Sequence, residues 1–209
     1  MKKIICRVLI VFLSLFICTI IVFASSFFFY YPHYIKNKQS YEIKINNASE
    51  IKFMSCNVRC LNPLDFGKKS WFYRADLLTK NINNATPGII GFQEVTKWQY
   101  NYLTASLEGY DSFITYRDKT PNSEGCPIFY NSDSYLLIDK GTFWLSETPD
   151  EMSKDWGAAC YRVCSYTVLK VKETGKRFVV FNTHLDHISE EARINGINLV
   201  LDKIIDFGS

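Results

Sequence analysis

Four polar residues stand at the ends of runs that read as β-strands. Asn57 follows the run 51–56, Glu94 follows the apolar run 88–92, and His184 and Asp186 follow 178–181. Open α/β sheets place their sites at the ends of buried strands. Carboxylates there can ligate hard cations, and an imidazole can exchange a proton near neutral pH. Taken singly, each residue also has a bland explanation. A lone glutamate at such a place is ordinarily a solvated strand end, and a lone histidine is blander still. Asp186 reads equally as a group that orients water or a neighbour and as a structural hydrogen-bond acceptor. Convergence of the three strand ends on one edge is what would make a site of them.

The elements that must position these residues follow from periodicity. Residues 51–58 (IKFMSCNV) predict a strand, and 71–83 a helix with Phe72, Ala75, Leu78 and Ile82 on one face. Thr86-Pro87-Gly88 breaks that helix. The short apolar run 88–95 (GIIGFQEV) has the character of a strand buried on both faces. A second helix is predicted over 98–107, then strands over 110–116, 126–130, 135–145, 161–171 and 178–183, with Gly175-Lys176 turning the last two into a hairpin. Ser189 reads as the N-cap of a last helix, with Glu190 and Glu191 where the helix dipole favours anions. Ala192, Ile197, Val200, Leu201, Ile204 and Ile205 make one stripe along it. This order predicts an α/β layered fold with substantial antiparallel pairing.

Composition bounds the rest. The chain has 209 residues, 47% of them hydrophobic, which excludes a disordered or collagen-like chain. Residues 8–31 carry no charge. As a helix they span about 36 Å, enough to cross a bilayer core of roughly 30 Å. Lys2, Lys3 and Arg7 precede this run, and an aromatic cluster at 27–31 ends it, as expected at headgroup level. The competing reading is a cleaved signal peptide, because Val22-Phe23-Ala24 before Ser25 is a tolerable cleavage site. The anchor predicts a single-pass protein with its body outside the cytoplasm, and the cleaved signal predicts a secreted one. Residues 32–50 are polar without a periodic apolar face and read as a tether. Six of the 24 basic and two of the 21 acidic residues precede Ile51, leaving 18 against 19 beyond it. Bulk charge therefore does not indicate a nucleic-acid-binding domain. Five of the seven cysteines lie beyond residue 50, an odd number that excludes a complete disulfide framework. Cys56/Cys60 and Cys160/Cys164 sit at a spacing looser than zinc knuckles use, so buried free thiols are expected, with a disulfide or zinc as alternatives.

The chain also carries an ordered series of motifs: Met54-Ser55-Cys56-Asn57-Val58-Arg59, Trp71 with Arg74, Gly88 to Val95 (GIIGFQEV), Glu124 to Tyr130 (EGCPIFY), Gly141 to Ser146 (GTFWLS) and Asn182 to His187 (NTHLDH). In this it resembles the endonuclease/exonuclease/phosphatase superfamily of deoxyribonuclease-like nucleases, sphingomyelinases, inositol phosphatases and deadenylases. The resemblance covers about 51–209. It implies a partial four-layer sandwich, two β-sheets flanked by helices, preceded here by one N-terminal transmembrane helix. It also implies a divalent-metal phosphoesterase acting on a phosphate-ester substrate. By that likeness Glu94 is the metal ligand for Mg²⁺, with Mn²⁺ as an alternative, and Asn57 stands beside it on the substrate side. His184 contacts the scissile phosphate, Glu124 orients that histidine, and Arg162 matches a phosphate-facing arginine. Asp186 completes the candidate catalytic set. The chemistry agrees, since one carboxylate with waters can hold Mg²⁺ and the ion then polarises a phosphoryl oxygen.

The superfamily's second half supplies a Gly-Asp-Phe-Asn and a terminal Ser-Asp-His motif, and neither occurs in the 209 residues. The histidines are His33, His184 and His187 alone. The expectation is an incomplete domain over 51–209, where this fold needs on the order of 230 residues or more. Such half a site would lose several powers of ten in rate, because its groups act as a unit. Three readings follow: a membrane-anchored phosphoesterase, a catalytically inactive fragment or binding module, and one half of a split enzyme completed by a separate polypeptide. The near-neutral body weighs against nucleic acid as substrate, and a membrane tether weighs toward a lipid or exogenous phosphate ester.

Overall fold

The computed structural model describes residues 2–25 and 50–208. The aromatic cluster at 27–31 and the tether up to residue 49 lie outside the described residues. Helix α1 (Lys2–Ser25) belongs to a compact unit of its own. Its stretch Lys3–Phe23 is long and apolar enough to cross a membrane. A signal sequence meets the same criterion, so both readings of this segment stand.

The body is an α/β structure with mixed sheets. Strand β1 (Phe53–Asn57) lies parallel to β2 (Ile89–Gln93), and β2 pairs antiparallel with β6 (Ile128–Asn131), which pairs antiparallel with β4 (Tyr110–Phe113). A second sheet is the antiparallel meander β7 (Tyr135–Trp144), β8 (Val163–Val171) and β9 (Arg177–Thr183). The predicted hairpin is present, with Gly175 supplying the positive φ (73°) that its turn requires. A two-stranded ribbon, β3 (Val95–Thr96) with β5 (Glu124–Gly125), was not foreshadowed by periodicity, because two-residue strands show none.

All five residues of β2 are buried, as its continuous apolar run predicts. Ile89 packs with Ile128, Tyr130, Tyr135, Leu169 and Val180, so the main core lies between the two sheets. On the other face of the first sheet, Phe92 meets Phe129 edge-on at 5.3 Å and Tyr100 of α3 (Lys97–Ser106) covers Phe129. Helix α2 (Trp71–Ala85) buries Trp71, Ala75, Thr79 and Ile82, with Trp71 edge-on to Tyr102. Of the predicted face, Ala75 and Ile82 are buried as expected, while Trp71 and Thr79 are buried in place of Phe72 and Leu78. Thr86 ends α2 in a left-handed turn, its N–H donating to Ile82 O (2.8 Å) before Pro87.

Helix α4 (Glu190–Gly208) packs on the second sheet along a narrow line. Val200 joins Phe143, Leu145 and Cys164, and Gly196 approaches Leu145 closely enough that a β-carbon would lie 3.2 Å from it. Of the predicted stripe, only Ala192 and Val200 are buried. Ile197, Leu201, Ile204 and Ile205 are exposed, because a helix on a twisted sheet touches it along one row rather than across a wide face. The cysteines are free among the described residues, with Cys126 and Cys164 buried.

Candidate active site

Parallel pairing places Asn57 opposite Gln93, so Asn57 and Glu94 leave the same end of the first sheet side by side. Glu94 has a left-handed backbone (φ 61°), and Arg59, two residues beyond Asn57, has another (φ 54°). Such conformations persist in non-glycine residues only where the surroundings fix them, and they cluster at functional sites. Here the surroundings are explicit. Asn57 Nδ2 donates to Glu94 Oε1 (2.8 Å), and the Cys60 N–H donates to Glu94 Oε2 (3.0 Å). The Arg59 N–H in turn donates to Asn57 Oδ1 (2.8 Å). Gln99 Nε2 donates to the Arg59 carbonyl (2.8 Å), and Arg74 donates to the carbonyls of Val58, Arg59 and Lys69. The Trp71/Arg74 motif therefore pins the loop after β1 from the side.

The second sheet delivers His184 immediately beyond β9. What holds the two sheet ends together is a buried amide pair. Asn182 of β9 donates through Nδ2 to the Phe92 and Pro127 carbonyls (2.8 and 2.9 Å), while Gln93 Nε2 donates to Asn182 Oδ1 (2.7 Å). Gly91 makes room for this bridge, since a β-carbon there would sit 2.8 Å from Asn182 Oδ1. Convergence of the three strand ends is thus a property of both backbone pairing and one polar bridge.

His184 Nε2 stands 3.9 Å from Glu94 Oε1. Its Nδ1 faces Arg162 Nη1 at 3.3 Å, and Arg162 Nη2 faces His187 Nδ1 at 2.9 Å. Guanidinium nitrogens only donate, so each Nδ1 accepts and the proton of neutral His184 resides on Nε2, directed toward Glu94. Burial first, then Arg162, push the His184 pKa below its ordinary value against the opposing pull of Glu94. The ring is neutral at pH 7. Burial by itself would raise the Glu94 carboxyl, but the Asn57 amide, the Cys60 N–H and the nearby His184 and Arg59 outweigh it and hold the pKa below the carboxylate range. Glu94 is an anion facing a neutral N–H donor.

The remaining candidates lie near this corner with the following partners. Glu124 lines the same cavity, but its carboxylate is taken by Arg117 Nη1 (2.8 Å) and by the Cys60 thiol. The side chain that faces His184 Nδ1 is Arg162. Arg162 itself is buried, with Nε on Asp186 Oδ2 (3.2 Å) and both terminal nitrogens on histidines, so it works through His184 and His187 as much as through any anion. Asp186 is engaged in structural hydrogen bonds. Oδ2 accepts from Arg162, Ala159 N–H (3.1 Å) and Cys160 N–H (3.5 Å), and Oδ1 from Ile188 and Ser189 N–H (both 2.9 Å). Five donors leave no lone pair to activate water. Ser189 then caps α4, its Oγ accepting from Ala192 N–H (3.1 Å). Sequence reasoning missed Arg117, His187, Gln93 and Asn182. The signal for the last two was present as polar residues inside otherwise apolar strands.

Glu94, Arg117, Glu124, Cys126, Arg162 and His184 surround a cavity of about 10 Å³, room for one water. Among the described residues no group of three or more His, Cys, Asp or Glu gathers as a metal cage. The chemistry of the donor that is present nevertheless fits a hard cation. Glu94 is ionised, only partly buried, and gives one lone pair of each oxygen to protein N–H groups. The others are open to an ion that keeps most of its waters.

No protein-family model matches the chain. Solved structures do. An endonuclease/exonuclease/phosphatase protein from Bacteroides vulgatus is 37% identical with a TM-score of 0.72, the likeness covering 75% of this chain and 60% of that one. A mannosyl-6-phosphatase from Bacteroides thetaiotaomicron is 35% identical with a TM-score of 0.72, covering 76% of this chain and 60% of that one. The CCR4-Not complex 3'-5'-exoribonuclease subunit Ccr4 of Schizosaccharomyces pombe is 26% identical over 157 residues, 65% of this chain and 23% of the relative. The chain thus spans about 60% of the length of these solved structures. With the parallel–antiparallel sheet, the second meander and the Asn57–Glu94–His184 corner in place, the chain belongs to the endonuclease/exonuclease/phosphatase superfamily.

Proposed function

We propose that this chain is a membrane-tethered phosphoesterase whose body is part of a four-layer sandwich, and that Glu94 holds Mg²⁺, or Mn²⁺ in its place. One observation carries the reading: the Glu94 carboxylate stands 3.9 Å from His184 Nε2, in a corner that two arginines also line. When bound, the ion polarises a phosphoryl oxygen and neutralises developing charge. The chain's own residues do the rest of the positioning. Asn57 and the Cys60 N–H fix the Glu94 carboxylate, and His184 Nε2–H donates to a phosphoryl oxygen. Arg117 and Arg162 offset the charges of Glu124 and Asp186, which would otherwise repel an anionic ester from the corner. Helix α1 serves as anchor with the body extracytoplasmic, or as a secretion signal.

Apart from Glu94, which is assigned to the ion, no carboxylate among the described site residues is free to take a proton from water. Asp186 is saturated, and Glu124 is paired with Arg117. We infer that these residues alone turn over slowly, and that a separate polypeptide carrying Gly-Asp-Phe-Asn and Ser-Asp-His motifs raises the rate. The same saturation favours the second reading, a binding module that holds phosphate esters without hydrolysing them. The sugar phosphatase among the relatives makes a phosphomonoester the first substrate to try.

The test assays the chain with p-nitrophenyl phosphate and bis-p-nitrophenyl phosphate, with Mg²⁺ or EDTA, alone and with such a polypeptide. The expected result is EDTA-sensitive turnover that the second polypeptide raises by about 100-fold or more. Retained phosphate binding without Mg²⁺-dependent turnover in either arm would establish the binding module. Absence of both would overturn the two readings together.

A further inference from the structure

The loop that follows Asn57 carries two large apolar side chains into water. Leu64 and Phe66 are 76% and 77% exposed, more than any other large apolar side chain among the described residues. This is not a slack segment. Asp65, between them, takes Arg59 Nε (2.7 Å) and Nη2 (2.9 Å) on its two oxygens. Asn62 accepts the Leu64 N–H on Oδ1 (2.9 Å) and the Asp65 N–H on its carbonyl (3.0 Å). A single helical turn, Gly67–Lys69, closes the loop with the Ser70 N–H on Gly67 O (3.0 Å). Hydrogen bonds and an ion pair therefore hold Leu64 and Phe66 away from the core. Lys68 and Lys69 follow them, both exposed, and the only acidic residue between 59 and 70 is neutralised by Arg59.

We propose that this loop docks onto a lipid bilayer surface rich in anionic headgroups. Leu64 and Phe66 enter the boundary between headgroups and acyl chains, while Lys68 and Lys69 meet lipid phosphates. A rigid apolar tip flanked by cations, with no free acidic residue, matches such a surface. A protein partner would ordinarily meet mixed charges and a broader apolar patch. The same chain carries α1, long and apolar enough to cross a membrane. The loop also holds the candidate site, since the Cys60 N–H within it grips Glu94. Docking would bring the mouth of that site to headgroup level. The proposal concerns binding and stands whether or not the site turns over.

The test uses the full chain reconstituted in liposomes, with a photoreactive benzoyl-phenylalanine at position 66, or at position 173 in the exposed β8–β9 turn as the control. Lipid adducts are read by mass spectrometry in phosphatidylcholine vesicles with and without phosphatidylserine. Adducts are expected at position 66 and not at 173. They should fall by about fivefold per lysine in K68E and K69E, and comparably when phosphatidylserine is omitted. Equal labelling at the two positions overturns the proposal. So do adducts at position 66 to protein rather than lipid, which would mark a protein interface instead.

Discussion

Two carboxylate corners flank the His184–Arg162 pair, and they have opposite uses. Glu94 and Asp186 both have pKa values held below the carboxylate range against the cost of burial. Glu94 receives two N–H donors and keeps open lone pairs on a partly exposed side chain. Asp186 receives five donors and is buried. A depressed pKa by itself does not mark a reactive carboxylate. The number of lone pairs left over does. One corner is built to accept something from outside the chain, and the other is built to hold Arg162, and through it two histidines, in place.

The largest effect should come from breaking the saturated corner. D186A leaves the buried Arg162 guanidinium unpaired, together with the backbone N–H groups of Ala159, Ile188 and Ser189. A loss of roughly 3–5 kcal/mol is expected in urea unfolding of the body. The pH dependence has the sign of a lowered carboxylate. Its contribution is complete above the unfolded value of about 4 and fades only as pH falls below that toward the folded value. Unfolding midpoints of the native chain should be level from pH 7 to pH 5 and drop under strong acid. A midpoint already falling by pH 6 would contradict the assignment. E94Q, at the open corner, keeps the size and one acceptor oxygen, so stability should change by less than about 1 kcal/mol. Mn²⁺ affinity, read by electron paramagnetic resonance, should weaken by about tenfold or more, as expected on losing the one charged ligand. Equal stability losses in D186A and E94Q would erase the contrast between the corners.

Strand-end position made Asn57, Glu94 and His184 legible, because parallel pairing of β1 with β2 and a hairpin ending in β9 leave their last residues at one edge. The layered α/β class and the Ser189 cap were legible for the same reason, since period and capping chemistry are local. The bonding partners of Glu124, Arg162 and Asp186 were not. Spacing says which residues lie near one another along the chain, and it does not say how many donors each carboxylate has already met. The Gln93–Asn182 bridge was hidden because its two amides are 89 residues apart, and only their contacts explain them. The α4 stripe misled for a different reason. Helical period fixes which residues share a face, while the width of the buried line depends on how the helix crosses the sheet.

The amide bridge gives the next effect in size. G91A forces a β-carbon against Asn182, which is buried and tied to two carbonyls, so relief requires moving β2 against β9. A cost of about 1–3 kcal/mol is expected, as for other overpacked cores. N182A combined with G91A should recover part of the steric loss. If the double variant is as unstable as the sum of the single ones, the two residues are not coupled through this contact.

The smallest effect is electrostatic and reads the open corner from its partner. Glu94 raises the His184 pKa, while burial and Arg162 lower it. Replacing Glu94 by Gln removes the negative charge that favours the imidazolium, so His184 should titrate still lower in E94Q than in the native chain. Nitrogen-15 spectra of the imidazoles follow this directly and report the tautomer as well. Above its pKa, His184 should show a protonated Nε2 and a bare Nδ1 in both forms, because Arg162 donates to Nδ1 regardless of residue 94. An upward shift in E94Q, or a protonated Nδ1, would mean that Glu94 rather than Arg162 sets the ring. The open corner would then be doing the positioning that the saturated corner is assigned.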